Sequence, residues 1–340
     1  MKTRQKRWTE HLTILIVGYV LGLLIWLGLW LAVGDGVWWL VLVHRVVPLL
    51  FAPWPFLVGL HVIGRGPKWL WLILIVPMLV FGGFYYPYVL PHLKRPSESP
   101  DVSVMTYNIL YSNHDYAAIA EVILTYRPDF VALQEVEEEA MPVLTEHLQT
   151  VYPYSQLGPE RKYGTTAIFS QHPLLMGKVL DLESEPAAVL IQAQVGETKV
   201  TFVSAHLLAY GLQWVKWYEW PQAVKERTRL QNRQAQLLLE ALPGDGNVVL
   251  LGCDCNTHET STSYRILASG LANAARVLGR SSPVRSDTAR PDRRLRRVDY
   301  VFYDGTVRSL GAYRITDTGG SDHLPVLAQF EIIESPTQEP

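Results

Sequence analysis

Residues 12–33 form a run of 22 residues without a single charge. Wound into a helix, such a run is about 33 Å long, enough to cross the hydrocarbon core of a bilayer. It is too long for a signal-peptide core and lacks a clear small-residue cleavage site. A second charge-free run covers residues 69–90, with Tyr85, Tyr86 and Tyr88 near one end, as an interfacial belt would have. Between the two, residues 37–62 are apolar but contain His44, Arg45, Pro48, Pro53 and Pro55. That stretch reads either as a third span with a kink or as a re-entrant segment. A charge inside a span is costly, and Arg45 is expected to snorkel or to pair with a carbonyl.

The flanks set an expected topology. Lys2, Arg4, Lys6 and Arg7 favour a cytoplasmic N-terminus, the acidic turn Gly34-Asp35-Gly36 suits the outside, and Arg65 and Lys68 suit the inside. Three spans, at about 12–33, 37–62 and 69–90, then place residue 96 onward outside the cell. Lys94 and Arg95 run against this, and a two-span arrangement would reverse it. Residues 91–100 are rich in proline and serine and read as an extended tether. The expected organisation is a transmembrane region over 1–95, a linker ending at 96–101, a soluble domain over 102–333 and a tail over 334–340.

The near-zero net charge of −2 conceals an uneven distribution. Residues 1–95 carry nine Lys/Arg against Glu10 and Asp35, a balance of +7, which leaves the remainder at −9. An acidic domain is a poor electrostatic match for a nucleic-acid backbone, which counts against a nuclease without excluding one, since a local basic patch would suffice. The two cysteines, Cys253 and Cys255, are one residue apart. On an extended strand their side chains point to opposite faces, so no bridge between them is expected. With no disulfide framework, the cysteines do not fix the compartment.

Beyond residue 101, short apolar runs alternate with helical stretches. Strands are expected at 102–107, 130–133, 165–170, 188–195, 199–205, 248–252, 298–303, 307–313 and 326–333, and helices at 116–126, 137–148, 222–242 and 262–268. Nine strands with four helices do not follow strict βα alternation, and neighbouring runs such as 188–195 and 199–205 call for antiparallel pairing. The pattern predicts a layered α/β sandwich with mixed sheets.

Polar residues recur where the apolar strands end or begin. Asn108 follows 104–107, Gln134-Glu135 follows 130–133, and His206 follows 201–205. Asp254 and Asn256 follow 248–252, Asp299 opens another strand, and Asp322-His323 opens the last, preceded by the turn-forming Gly319-Gly320. Each one alone reads as a turn residue or a strand cap. Six together point to a shared site. Glu135, Asp322 and Asn108 offer hard oxygen ligands suited to Mg²⁺ or Mn²⁺, and no cysteine or histidine cluster has zinc spacing. Two histidines, an Asp-x-Asn pair and a further aspartate can orient a water, hold an oxyanion and neutralise a leaving oxygen.

The ordered set Thr106-Tyr107-Asn108, Leu133-Gln134-Glu135, Ser204-Ala205-His206-Leu207, Asp254-Cys255-Asn256, Arg297-Val298-Asp299-Tyr300 and Ser321-Asp322-His323-Leu324-Pro325-Val326 resembles the endonuclease/exonuclease/phosphatase superfamily. That group includes abasic-site endonucleases, DNase I, neutral sphingomyelinases and inositol-polyphosphate phosphatases. The resemblance implies a four-layer α/β sandwich with two mixed, largely antiparallel sheets. It implies Glu135 as the main metal ligand, with Asn108 and Asp322 near metal and phosphate. Asp254 would orient or deprotonate the attacking water, and Asn256 and His206 would contact phosphate oxygens. His323 would face the scissile phosphate, with Asp299 fixing its tautomer. The family usually has Gly-Asp-Phe-Asn where this chain has Cys253-Asp254-Cys255-Asn256, so the Asp-x-Asn survives between two thiols, read as inert small hydrophobes. Tyr163-Gly164 resembles a further segment near the phosphate.

Two features are particular to this chain. Residues 210–220 hold three tryptophans and two tyrosines just after His206, which suits either a membrane interface or an aromatic lid packed on the domain. Arg285, Arg290, Arg293, Arg294, Arg296 and Arg297 lead into Asp299 and read either as a site for further phosphates or a lipid surface, or as a solvated loop. A catalytic domain tethered to a bilayer meets lipids at high local concentration. The expected activity is therefore metal-dependent hydrolysis of a lipid phosphate or pyrophosphate. The architecture also resembles bacterial membrane proteins of the teicoplanin-resistance type, which implies a plasma-membrane protein with its catalytic domain outside the cell. The alternatives are a sphingomyelinase-like phosphodiesterase, a tethered nuclease and a non-enzymatic binding module on a relic site.

Overall fold

Two units divide the chain, Met1–Tyr86 and Pro87–Pro340, each with its own packing. The structure is a computed structural model and describes residues 2–89, 100–159, 164–183, 188–276 and 297–333. Most of the expected linker, the C-terminal tail, Tyr163 and five of the six arginines (Arg285, Arg290, Arg293, Arg294 and Arg296) lie outside the described residues.

The N-terminal unit is all helical: α1 (Lys2–Val33), α2 (Trp38–His44), α3 (Val47–Leu50), α4 (Pro53–Gly64) and α5 (Leu70–Val89). The stretch expected as one kinked span is divided into three helices. Pro48 and Pro53 stand in the first turns of α3 and α4, where a missing N–H costs nothing and helices begin. Segments Lys6–Val33 and Val47–Gly64 are long and apolar enough to cross a membrane, and Leu70–Tyr86 is a shorter apolar helix. Leu12, Ile16, Leu57, Leu70 and Leu74 pack α1, α4 and α5 together. Ile14, Ile25, Phe56, Ile63 and Leu72 are exposed on the outside of the same helices, as lipid-facing positions would be. His44 Nδ1 lies 2.7 Å from Asp35 Oδ1, so the two ionisable groups of the first turn region satisfy each other.

Among its described residues the second unit contains twelve strands in two six-stranded sheets. The first sheet is built from β1 (Val102–Asn108), β2 (Phe130–Val136), β3 (Tyr154–Leu157), β4 (Thr165–Ser170), β11 (Val307–Arg314) and β12 (Val326–Ile332), ordered β11-β12-β1-β2-β4-β3. The second is built from β5 (Leu174–Leu180), β6 (Ala188–Val195), β7 (Thr198–His206), β8 (Val248–Asp254), β9 (Ala272–Asn273) and β10 (Asp299–Tyr303), ordered β5-β6-β7-β8-β10-β9. Each sheet has one central parallel pair, β1 with β2 and β7 with β8, and every other pairing is antiparallel.

Strand periodicity separates three cores. Val102, Val104, Phe130 and Ala132 of the first sheet meet Val189, Ile191, Phe202 and Leu250 of the second between the sheets. Alternate residues Met105, Tyr107, Val131 and Leu133 face outward and are covered by α6 (Tyr116–Tyr126) and α7 (Ala140–Leu148). On the far side Val203, Ala205, Leu251 and Phe302 are covered by α8 (Trp220–Ala241) and α9 (Thr262–Gly270). The result is the expected four layers, helices outside two mixed sheets.

Three strands were not expected: β3, β5 and β9. They form three of the four sheet edges, and β3 and β5 are largely solvent-exposed, so they lack the apolar run or the clean alternation that marks a buried strand.

The expectation about the cysteines also needs correction, because Cys253 and Cys255 form a disulfide. The strand ends at Asp254, and Asn256 takes a positive φ of 47°. The separation of the two cysteine Cα atoms is set by the backbone of Asp254 between them; they stand 5.1 Å apart, where an extended strand would hold them about 6.6 Å apart, so the chain is not fully extended there. Both side chains are buried on the α8–α9 side of the sheet.

Candidate active site

The two parallel pairs carry the polar residues at their carboxyl ends. In register, Asn108 of β1 lies beside Gln134 of β2, and His206 of β7 beside Asp254 of β8. The sheets come close where these pairs face each other. A Cβ on Gly252 would lie 2.8 Å from the Ala132 Cβ and 3.1 Å from the Thr106 Cβ, so glycine there lets β8 settle directly onto β1 and β2. The four strand ends converge at the seam between the sheets.

Glu135 reaches the seam through an irregularity. The pairing of β2 with β4 shifts between Leu133 and Val136, and Glu135 adopts φ 58°, a conformation uncommon for a residue with a side chain. Gly164, at φ 75°, lies against this bulge, and a Cβ there would meet the Glu135 carbonyl carbon at 2.5 Å. Gln134, read together with Glu135 from the sequence, instead points between the sheets. It hydrogen-bonds Thr106 and donates to Ser204 Oγ at 3.3 Å. One member of the pair is a core polar bridge and the other faces the site.

Asp254 is the centre of the arrangement and is almost fully buried. Its Oδ2 accepts from Asn108 Nδ2 at 2.9 Å and lies 3.5 Å from His206 Nε2 and 3.9 Å from His323 Nε2. Asn108 Nδ2 donates as well to Glu135 Oε1 at 2.9 Å, and that oxygen is 4.0 Å from His206 Nε2. Tyr111 N donates to Glu135 Oε2 at 3.1 Å. Two ligand sets result, Glu135 with His206 and Asp254, and Asp254 with Asp299 and His323; within each set the ligand atoms lie within 4.8 Å of one another.

His323 is held from two sides. Its Nδ1 lies 2.9 Å from Asp299 Oδ2, and its backbone N–H donates to Ser321 Oγ, which itself donates to Asn108 O at 2.7 Å. Burial alone would lower its pKa. The negative charges of Asp299, Asp254 and Asp322, together with the Asp299 hydrogen bond, outweigh burial and raise it to about 10. Around it the burial alternates: Ser321, His323 and Pro325 are buried, and Asp322 and Leu324 are partly exposed. Asp322 therefore contributes charge from the side, and its carboxylate is not in either ligand set. Asn256 takes Asp254 Oδ1 on its backbone N–H at 3.1 Å and donates from Nδ2 to Leu207 O at 3.0 Å.

Several supporting residues carry no sequence signal of their own. Gln231 of α8 donates to Leu208 O, Cys255 O and Asn256 O, fastening the loops after β7 and β8 to the helix. Tyr107, whose phenol burial holds in the protonated form with Asp317 adding to the effect, donates to Thr318 O and ties the loop before His323 to β1.

The donor set of Glu135, Asp254 and His206, two carboxylates and one imidazole, can hold a divalent cation of the Mg²⁺ or Mn²⁺ type. Asn108, expected as an oxygen ligand, points its amide N–H groups at both carboxylates and uses Oδ1 to accept from Leu110 N.

Residues 105–323 match the family model described as Endonuclease/Exonuclease/phosphatase family. No curated protein matches the chain. Among solved structures, an endonuclease/exonuclease/phosphatase from Beutenbergia cavernae is similar with a TM-score of 0.55 at 20% identity, over 68% of this chain and 71% of that one. D. rerio TDP2, solved with a single-strand DNA product, gives a TM-score of 0.56 at 16% identity, over 69% of this chain and all of that one. The human nocturnin catalytic domain, solved with a sulfate anion, gives 0.53 at 21% identity, over 68% and 94%.

Proposed function

The chain belongs to the endonuclease/exonuclease/phosphatase family, whose domain implies hydrolysis of phosphate esters, and on that premise we propose that it is a membrane-tethered, divalent-metal-dependent phosphoesterase acting on a lipid phosphate or pyrophosphate. The observation that carries the chemistry is the position of Asp254, one carboxylate shared between the Glu135–His206 group and the His323–Asp299 pair. Glu135, Asp254 and His206 would hold a divalent ion, which when bound would supply Lewis-acid stabilisation of the phosphate's negative charge.

The side chains supply the remaining parts. Asp254 accepts the proton of the water whose oxygen attacks phosphorus as the ester or anhydride P–O bond breaks. Asp299 fixes His323 with Nδ1 bound and Nε2 toward the site, and the raised pKa keeps the imidazole protonated to neutralise a phosphoryl oxygen. The second N–H of Asn256 Nδ2 is left for another such oxygen.

The lipid assignment draws on the N-terminal helices, two of them with the length and composition of membrane spans, and on the −9 balance of residues 96–340, which disfavours a nucleic-acid backbone. The resemblance to membrane proteins of the teicoplanin-resistance type supports a catalytic domain on the outer face, and so does the Cys253–Cys255 disulfide, since such bonds persist in oxidising compartments. The test is a substrate panel on the full chain in detergent with Mg²⁺. Phosphate release from a polyprenyl pyrophosphate, abolished by EDTA, is expected. Release of phosphocholine from sphingomyelin instead would replace the lipid-phosphate reading with a phosphodiesterase, and cleavage of plasmid DNA at comparable rates would overturn the lipid assignment.

A further inference from the structure

Between β7, which ends at His206, and α8 runs a strap whose Trp214, Trp217 and Tyr218 are exposed. Gly211, at φ 48°, turns the chain into two short 3₁₀ turns, Leu212–Trp214 and Trp217–Glu219. Trp214 is 86% exposed, Trp217 78% and Tyr218 56%, and the two tryptophans are the most exposed large apolar side chains among the described residues of the second unit. The sequence left open whether the aromatics of residues 210–220 form a lid on the domain; Tyr210 is buried and Trp220 half-buried, whereas Trp214, Trp217 and Tyr218 are not packed on it.

The strap is held in place although its aromatic face is bare. Trp220 Nε1 donates to Val215 O at 3.1 Å, and the backbone closes on itself through Trp214 N to Gly211 O and Glu219 N to Lys216 O. Trp217 and Tyr218 meet edge to face at 5.9 Å, and the Lys216 Nζ lies 5.8 Å from the centre of the Tyr218 ring. Beneath the strap, the Nη1 of Arg227 is buried without a hydrogen-bond partner and would lie 3.6 Å from a Cβ at Gly211. Of the strap's own charges Lys216 balances Glu219, and Arg227 beneath adds one positive charge.

Tryptophan and tyrosine beside lysine, on a short rigid element, is the chemistry of the headgroup layer, where indole and phenol rings sit between water and hydrocarbon and lysine reaches the anionic phosphates. The occupant is constrained by the chain itself. The N-terminal unit has helices with the length and composition of membrane spans, and the 12 residues 90–101 between α5 and β1 could span at most about 43 Å. A bilayer holding the first unit therefore stays within reach of the second.

We infer that the Gly211–Trp220 strap is a bilayer-docking element, seating Trp214, Trp217 and Tyr218 in the headgroup layer of an anionic membrane beside the candidate active site. As a route by which lipid phosphate enters, it rests on the proposed activity; as a docking surface, it does not.

Full-length protein reconstituted in phosphatidylcholine/phosphatidylglycerol vesicles tests it. An NBD fluorophore is attached at Trp214→Cys or, as control, at Glu197→Cys, in the turn at the opposite end of β7; Cys253 and Cys255 are buried and bonded to each other. Blue-shifted emission at 214, quenched by nitroxide-bearing lipids, with water-like unquenched emission at 197, is expected. Water-like unquenched emission at 214 overturns the inference. In the same vesicles, Trp214→Ser/Trp217→Ser is expected to lower the ratio of kcat/KM on bilayer-borne lipid phosphate to that on soluble bis(p-nitrophenyl) phosphate about tenfold, equivalent to about 1.4 kcal/mol. An unchanged ratio overturns the route. Quenching at 214 in a protein that hydrolyses no lipid phosphate supports docking and refutes the proposed substrate.

Discussion

Replacing Gly252 by alanine places a methyl carbon 2.8 Å from the Ala132 Cβ and 3.1 Å from the Thr106 Cβ. Carbon atoms pack at about 3.5–4.0 Å, so β8 must retreat from β1 and β2 by a large fraction of an ångström, or those strands must yield. Both neighbours are β-sheet positions whose Cβ atoms move only with their backbone. Overpacking of this kind costs about 1–3 kcal/mol. The effect on activity is larger than the effect on stability. Asp254 lies two residues along the same strand and accepts from Asn108 Nδ2 of β1 at 2.9 Å, a bond across the seam that the retreat stretches. A misplacement of about 1 Å in a catalytic group costs about 100-fold in rate. The assay pairs the urea midpoint for proteolytic susceptibility of the second unit with kcat on a soluble phosphodiester. Gly244→Ala, where no atom lies within 4 Å, serves as control and should change stability by less than about 0.5 kcal/mol. A Gly252→Ala protein with an unchanged midpoint and full activity would refute the idea that close approach of the two sheets sets the geometry of the seam.

Three further outcomes follow from the same geometry. Glu135→Gln should lower activity by about 10²–10³-fold and abolish the rise in melting temperature that Mg²⁺ gives the wild-type protein, read by differential scanning fluorimetry. Asp299→Asn should reduce kcat by about 10²–10⁴-fold; because it removes a carboxylate that raises the His323 pKa, it should also shift the alkaline limb of the pH–rate profile to lower pH. Asp129→Ala should destabilise the second unit by about 1–3 kcal/mol at neutral pH. Burial pushes the Asp129 carboxyl up, but hydrogen bonds from His172 and Ser103 prevail and hold it below the usual range, so its contribution is present above about pH 4 and is lost as pH falls through the lowered pKa.

The central strands were legible because they are buried on both faces and read as apolar runs, and the site was legible because each run stops at a polar residue. Asn108, His206 and Asp254 are the last residues of their strands, so the change from apolar to polar marks the seam directly. Where the signal depends on which way a side chain turns, sequence is silent. Gln134 and Glu135 are adjacent acceptors of similar size, and only the bulge before Val136 sends one into the core and the other to the site. Asp322 and His323 are likewise sorted by how the segment before β12 is held, with Ser321 reaching Asn108 O and His323 N bound to Ser321 Oγ. The cysteine bridge is not legible because a strand residue is expected to be fully extended, whereas at Asp254, where the strand ends, the backbone brings the Cα atoms of Cys253 and Cys255 to 5.1 Å. The edge strands β3, β5 and β9 carry little apolar burial and are created by their neighbours.

The pairing of β12 with β1 has a consequence for when the protein becomes active. Val326 lies opposite Thr106, and Ser321 Oγ bonds Asn108 O across 213 residues of sequence. Asn108 and His323 therefore meet only when the segment leading into β12 closes onto β1, the first strand of its unit. Contacts so distant in sequence form late in folding. A chain growing from the ribosome carries Asn108, Glu135 and Asp254 well before it carries His323, and an enzyme that would cut phosphate esters remains inert until its fold is closed.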